Sequence, residues 1–133
     1  MARVVLDTDV CSVSYRGRLD DATARRLVGH ELCVTFVTIG ELARWAEKRS
    51  WGVRTRAELA HWVSCRVLLP YAGDVAWTWG RLTGSAERRG RPRPVNDTWI
   101  AACCITAQLP LATFNLKDFA DFAEFDGLVL ALD

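Results

Sequence analysis

Five short stretches of the chain are almost continuously apolar: Val4-Val5-Leu6, Leu32-Cys33-Val34-Thr35-Phe36-Val37, Val67-Leu68-Leu69-Pro70, Leu109-Pro110-Leu111-Ala112-Thr113-Phe114 and Leu128-Val129-Leu130-Ala131. Runs this short and this uninterrupted predict strands buried on both faces, not strands with one wet side. Between them lie longer segments whose apolar residues recur at helical spacing. One covers 20–29, opened by Asp20 and Asp21 and stopped by Gly29; a second opens at Thr38-Ile39-Gly40-Glu41 and runs to about Ser50. A third covers 55–65, with Leu59, Trp62 and Val63 on one face; a fourth starts at Asp74, with Val75, Trp79 and Leu82 as its stripe; a fifth runs from Asp97 to Gln108.

The order β-α-α-β-α-α-β-α-α-β-α-β predicts an α/β fold. We expect a three-layer sandwich around a central, mostly parallel five-stranded sheet with right-handed crossovers. The only Pro/Gly/Arg-rich stretch, Glu87 to Pro94, is too short to divide domains, so residues 1–133 are expected to form one. Ligands of such sheets bind in the crevice outside the carboxyl ends of the strands. The residues at those ends therefore carry the functional question.

Composition changes the picture only by exclusion. Half of the 133 residues are hydrophobic and 25% are charged, which excludes disorder and a disulfide-stapled miniprotein. The five cysteines, Cys11, Cys33, Cys65, Cys103 and Cys104, offer no CxxC pair and no zinc spacing. No stretch approaches the ~18 apolar residues of a membrane span or the apolar core of a signal peptide, so no membrane association and a cytoplasmic location are expected.

The net charge of +1 hides an asymmetry. Residues 1–70 carry eleven basic and eight acidic side chains, residues 71–100 five and three, and residues 101–133 one and five. A basic body with an acidic end can still offer a positive face to a polyanion. Fifteen of the 17 basic residues are Arg, which suits bidentate phosphate recognition but equally reflects genomic base composition.

Acidic residues recur where the crevice is expected. Asp7 and Asp9 follow the first strand, Glu41 lies one turn into the helix after the second, Asp97 opens the helix before the fourth, and Asp118 follows that strand. Carboxylates gathered in one place repel and need a cation to stay ionised together. An all-oxygen set without Cys or His suits Mg²⁺ or Mn²⁺. Glu41, Asp97 and Asp118 also have local structural explanations. Thr38-Ile39-Gly40-Glu41 reads as a capping box, Asn96-Asp97 as an N-cap, and Asn115 or Asp118 as an Asx-turn.

Four motifs in order resemble the PIN-domain family, in particular the VapC-type toxins of bacterial toxin–antitoxin pairs. They are Val4-Val5-Leu6-Asp7-Thr8, Thr38-Ile39-Gly40-Glu41-Leu42, Val95-Asn96-Asp97-Thr98-Trp99-Ile100-Ala101-Ala102 and Leu111-Ala112-Thr113-Phe114-Asn115-Leu116-Lys117-Asp118-Phe119. The resemblance implies an acidic quartet of Asp7, Glu41, Asp97 and Asp118 holding Mg²⁺ or Mn²⁺, with Asp7 and Asp97 as direct ligands. It further implies that Thr113 and Asn115 support Asp118 and that Thr8 is the small hydroxyl following the first acid. Two positions depart from the pattern. Asp9 stands where the family often has Asn or Ser, adding a fifth carboxylate, and Phe114 stands where Arg or Gly is usual.

By the same resemblance the activity is that of a metal-dependent endoribonuclease. Attack by water in place of the 2′-hydroxyl would leave 5′-phosphate and 3′-hydroxyl ends. The implied partners are an RNA substrate, a cognate antitoxin protein that blocks the site, and a second protomer in a homodimer. Candidate RNA contacts are the run Arg88, Arg89, Arg91 and Arg93, with Arg16 and Arg18 after the first acidic loop. The six tryptophans are expected mainly in packing, with Trp45, Trp51 and Trp62 forming an apolar surface for a partner.

Three alternatives remain open from the residues alone. A phospho-receiver domain would need an acceptor at Asp74 and a Lys after a fifth strand, whereas Lys117 follows the fourth. An aspartyl phosphatase would use Asp7 and Asp9 as nucleophile and acid. A PIN-like module could bind RNA without cutting it.

Overall fold

Four of the apolar runs pair edge to edge in a computed structural model that describes residues 2–133. They are β1 (Arg3–Leu6), β2 (Glu31–Thr35), β3 (Val67–Leu69) and β4 (Leu111–Ala112), in the order β3-β2-β1-β4 with every pair parallel. Successive strand residues face opposite sides of the sheet. Val5, Cys33 and Leu111 therefore join one core, while Val4, Leu6 and Val34 join the other.

Helices α1 (Thr8–Tyr15), α2 (Asp21–Leu27), α3 (Phe36–Lys48) and α4 (Val53–Ser64) supply the second core through Val10, Leu27, Leu42 and Leu59. Helices α5 (Gly73–Arg88), α6 (Val95–Ala107) and α7 (Leu116–Asp126) supply the first through Leu82, Ile100, Phe119 and Phe122. This is the expected three-layer α/β sandwich. Among the described residues, no helix is long and apolar enough to cross a membrane.

The sheet has four strands, not the expected five. Helix α7 extends to Asp126 and turns at Gly127 (φ +83°), leaving a short tail that meets a two-residue β4. The outcome is a single parallel bridge, Leu111 to Leu130, with Leu111 N–H donating to Val129 O at 2.9 Å. A ladder cannot propagate from a strand that short.

The junctions also differ from the sequence reading, and they matter more. Strand β2 ends at Thr35, because its Oγ1 accepts the Thr38 N–H at 3.2 Å and winds Phe36 and Val37 into α3. Thr38 is thus inside the helix and the capping box at Thr38–Glu41 does not form. Helix α6 starts at Val95 behind Pro94, so Asn96 is not its cap; Pro94 O instead takes both the N–H and the Oγ1 of Thr98, at 3.0 and 2.8 Å. Asp118 is no Asx-turn but lies in the first turn of α7. No loop follows β1, because Asp7 caps α1 directly.

The connection from α5 to α6 is tied to α7 by Arg91, whose Nε and Nη2 donate to Asp121 at 2.9 and 3.4 Å. Asp121 is nearly buried while Arg91 is mostly exposed, so losing the two partners should not cost the same. Without Arg91 a buried carboxylate is stranded; without Asp121 the guanidinium simply hydrates. Arg91 holds the Asp121 carboxyl below its usual range, so the pair stabilises above that range and its contribution fades as pH falls through it. We expect Arg91→Ala to lower the melting temperature more than Asp121→Ala does at pH 7, and the deficit to close below about pH 4. Thermal unfolding across pH checks both statements.

Candidate active site

The strand order reverses at β1. The chain reaches β2 across the α1–α2 face, but returns to β4 across the α5–α6 face. Such a reversal opens a crevice at the carboxyl ends of the two strands, and their following residues meet there. The residue after β1 is Asp7 and the residue after β4 is Thr113.

Asp7 is 5% exposed and its two oxygens are both engaged. Oδ1 accepts the Thr8 N–H at 2.8 Å, which caps α1, and Oδ2 accepts the Thr113 hydroxyl at 2.8 Å. Thr113 therefore supports Asp7, not Asp118. Its Oγ1 in turn accepts the Asn115 N–H at 3.0 Å, and Asn115 O accepts the Asp118 N–H at 3.0 Å. Asn115 thus touches the Asp118 turn through its backbone, while the residue itself lines the cleft.

A chain of hydroxyls positions Glu41. Thr8 Oγ1 donates to Glu41 Oε1 at 2.7 Å and lies 3.0 Å from Thr38 Oγ1. Each hydroxyl has one proton, so Thr38 donates to Thr8, and Thr35, at 3.5 Å, stands behind Thr38. All three threonines are buried. This relay escaped the sequence reading, although the Thr35 and Thr38 spacing at a strand–helix junction is a cap signature that could have located it.

Asp7, Thr8, Asp9, Glu41, Trp45, Asp97 and Asn115 line one cleft of about 180 Å³. Asp9 joins the cluster with Oδ1 on the Val10 N–H at 2.7 Å and Oδ2 on the Phe114 N–H at 3.1 Å. Asp118 is not among the lining residues, but its charge is the strongest acidic neighbour of Asp97. Trp45, one turn beyond Glu41 on α3, is a wall of the cleft that the sequence reading assigned to a partner surface.

Crowding is visible in the acids' protonation. Burial, then the Asp9 charge, push Asp7 up to about 7 against the hydrogen bonds from Thr113 and Thr8. Burial, then Asp118 and Glu41, push Asp97 up to about 6. Asp9 is raised by burial as well. Burial first, and mutual repulsion second, disfavour the ionised forms.

The donors are all hard oxygens, which fits Mg²⁺ or Mn²⁺ and not a softer metal. Among the described residues, no three His, Cys, Asp or Glu side chains are close enough to hold an ion unaided. Mg²⁺ keeps several waters and is ordinarily held by one or two carboxylates, so a spread set still suits it.

Of the arginines proposed for RNA, Arg91 is engaged by Asp121, and Arg89 lies 4.2 Å over the Phe125 ring and 3.9 Å from Asp126. Arg88 donates to Ser85 of its own helix at 3.4 Å. Arg93 is the one whose charge reaches Asp97. Arg16 and Arg18 are exposed at the far end of α1, about 12 Å along its axis from Asp7. Asp74, the acceptor a receiver domain would need, is exposed at the start of α5 and outside the cleft.

Comparison with known proteins identifies the family. The PIN domain family matches residues 4–125. Ribonuclease VapC5 of Mycobacterium tuberculosis is 33% identical over 130 residues, covering 92% of this chain and 87% of that protein. The tRNA(fMet)-specific endonuclease VapC of Shigella flexneri is 28% identical over 120 residues, covering 90% and 91%. The crystal structure of VapBC-5, a member of the VapBC family of toxin–antitoxin systems from Mycobacterium tuberculosis, superposes with a TM-score of 0.70 at 30% identity over 98% of both chains. With its acids at the switch point of a parallel sheet and these likenesses along almost its whole length, the chain belongs to the PIN-domain family, with the VapC ribonucleases.

Proposed function

We propose that this chain is a metal-dependent endoribonuclease and the toxin of a toxin–antitoxin pair. The observation that carries the reading is the 180 Å³ cleft lined together by Asp7, Asp9, Glu41 and Asp97, with Asp7 and Asp97 driven toward neutrality by burial and charge. Such a cleft repels a phosphodiester unless a cation lies between them. The names of the VapC ribonuclease and endonuclease relatives support RNA cleavage.

Asp7 and Asp97 would hold the ion, with Glu41, Asp9 and Asp118 around it. Bound there, Mg²⁺ or Mn²⁺ supplies an acidified water and neutralises charge on the phosphoryl oxygens. The protein's part is orientation. Thr113 and the Thr8 N–H fix both Asp7 oxygens, and the Thr35–Thr38–Thr8 relay fixes one oxygen of Glu41, leaving the other for the cleft. Carboxylates held this way need little rearrangement during the reaction, which is where electrostatic catalysis gains most. Neither histidine lines this cleft.

The VapBC-5 likeness supports an antitoxin partner. An apolar groove of about 280 Å³ between α3 and α4, lined by Ile39, Leu42, Leu59 and Val63 with Arg56 at its rim, is the surface such a chain would cover. Trp77, 84% exposed on α5, together with exposed Tyr71 and Leu68, suits the pairing of two protomers.

Two outcomes are expected. Purified chain cuts structured RNA with Mg²⁺ or Mn²⁺ and not with EDTA, leaving 5′-phosphate ends that a phosphatase removes, and Asp97→Asn lowers the rate at least about 100-fold. Metal-independent cutting, or an Asn variant as fast as the parent, contradicts the assignment. Trp77→Glu yields monomers in sedimentation velocity where the parent sediments as a dimer; an unchanged dimer places the pairing surface elsewhere.

A further inference from the structure

The acidic cleft continues past Glu41. That residue also borders a second, open groove of about 400 Å³, lined by Phe36, Val37, Gly40, Arg44, Asn96 and Trp99. The two spaces are built from the same pair of helix starts. Helix α3 contributes Gly40 beside Glu41, and α6 contributes Asn96 beside Asp97. Whatever occupies the groove therefore lies against whatever occupies the acidic cleft.

One wall is aromatic and rigid. Phe36 and Trp99 meet edge to face at 6.1 Å, Trp79 stacks behind Trp99 at 5.0 Å and 18°, and Tyr71 meets Phe36 at 6.1 Å and 90°. Phe36 and Trp99 are only half-buried, so part of each still faces the groove. The remaining lining is polar and unused. Arg44 is exposed and makes no ion pair among the described residues, and the Asn96 carboxamide has no hydrogen bond among them. At Gly40 a Cβ would meet nothing within 4 Å, so the floor is open where any other residue would begin to fill it.

We propose that this groove binds the nucleotide adjoining the scissile phosphodiester of a single-stranded RNA segment. Its base lies against the Phe36–Trp99 wall, its polar edge meets the Asn96 carboxamide, and its phosphate meets the Arg44 guanidinium. Aromatic faces hold bases without demanding a sequence, and a guanidinium matches two phosphate oxygens at once. Arg44 also answers a need that the acids create. A polyanion approaching four carboxylates requires a positive charge beside them, and Arg44 stands one helical turn from Glu41 with its charge uncommitted. The assignment rests on the endoribonuclease reading above.

The deciding variant is Gly40→Gln, which puts a good helix former into the groove without touching an acid. Arg44→Ala, Arg44→Lys and Asn96→Ala accompany it, with Arg25→Ala on α2 as a control. Anisotropy of a 5′-fluorescein-labelled 12-nucleotide single-stranded RNA with Ca²⁺ in place of Mn²⁺ reads affinity, and single-turnover cleavage with Mn²⁺ reads saturation and maximal rate separately. We expect Gly40→Gln and Arg44→Ala each to weaken binding at least about fivefold and Asn96→Ala two- to threefold. Arg44→Lys recovers part of the loss, and Arg44→Ala lowers the salt dependence of binding by about one phosphate contact. Melting temperature, Mn²⁺ binding by electron paramagnetic resonance and the maximal cleavage rate stay near those of the parent.

RNA affinity unchanged in Gly40→Gln and Arg44→Ala overturns the proposal. So does a Gly40→Gln chain that loses dimerisation while keeping RNA affinity, since the groove then belongs to a second copy of the chain. A parent whose RNA binding shows these sensitivities, but which cuts no RNA with either metal, keeps the groove as an RNA contact and removes both the endoribonuclease reading and the place beside a scissile phosphodiester.

Discussion

Repulsion between carboxylates that the backbone brings together is the constraint on which the rest of this structure turns. Asp7 is almost wholly buried, faces Asp9 and Asp97, and is pushed up to about 7 as a result. A sheet end free to relax would splay such groups apart. Here each is pinned by contacts that belong to the fold: Asp7 by the start of α1 and by Thr113, Asp9 by the Val10 and Phe114 N–H groups, and Glu41 by the threonine relay. At the outer edge, the Arg91–Asp121 pair ties the segment leading to Asp97 to the helix bearing Asp118. Local instability of this kind persists only where surrounding structure holds it, and it marks sites that need a charged partner.

The fold explains why the acids meet at all. Acids spread between residues 7 and 97 share one cleft because β1 is the strand at which the sheet reverses direction. Asp7 and Thr113 are neighbours only because β1 and β4 are paired, in a register that sets Leu6 beside Ala112 and lets Asp7 N–H donate to Ala112 O at 2.9 Å. The helices then spread the surroundings by chemistry. Helix α3 carries Glu41 toward the cleft, Trp45 along its wall and Arg44 into the adjoining groove, so one element supplies metal-type donors, an aromatic surface and a phosphate-type contact.

Much of this was legible in the sequence, and the failures have physical reasons. Continuous apolar runs identified the parallel strands because strands covered on both faces cannot alternate. The acids could be placed near strand ends for the same reason. What the chain could not disclose was side-chain partnership across the reversal. Thr113 was paired with Asp118, which is near in sequence, when its hydroxyl reaches Asp7, 106 residues away. The capping box open to Glu41 does not form, because Thr35 caps α3 and leaves Glu41 free to face Thr8. Arg91 stands among the RNA-contact candidates because its partner Asp121 comes thirty residues later. The fifth strand failed differently: its residues are apolar, but β4 offers only two residues to pair with.

The central claim is that the metal-free cleft opposes folding once its acids ionise, and that a divalent cation relieves it. The native Asp7 and Asp97 pKa values, about 7 and about 6, lie above their ordinary value of 3.8. Between those limits the native state binds more protons than the unfolded chain, so stability falls as pH rises through this window. The direct measurement is the melting temperature of the parent and of Asp7→Asn, in EDTA and in Mn²⁺, at pH 5 and pH 8. Asn keeps the helix cap and removes the charge. The result expected is an Asp7→Asn variant more stable than the metal-free parent by at least about 4 °C at pH 8, with a clearly smaller difference at pH 5. Mn²⁺ should stabilise the parent far more at pH 8 than at pH 5 and leave the variant nearly unmoved. A parent whose advantage or deficit against Asp7→Asn is the same at both pH values, and whose stability ignores Mn²⁺, would contradict it.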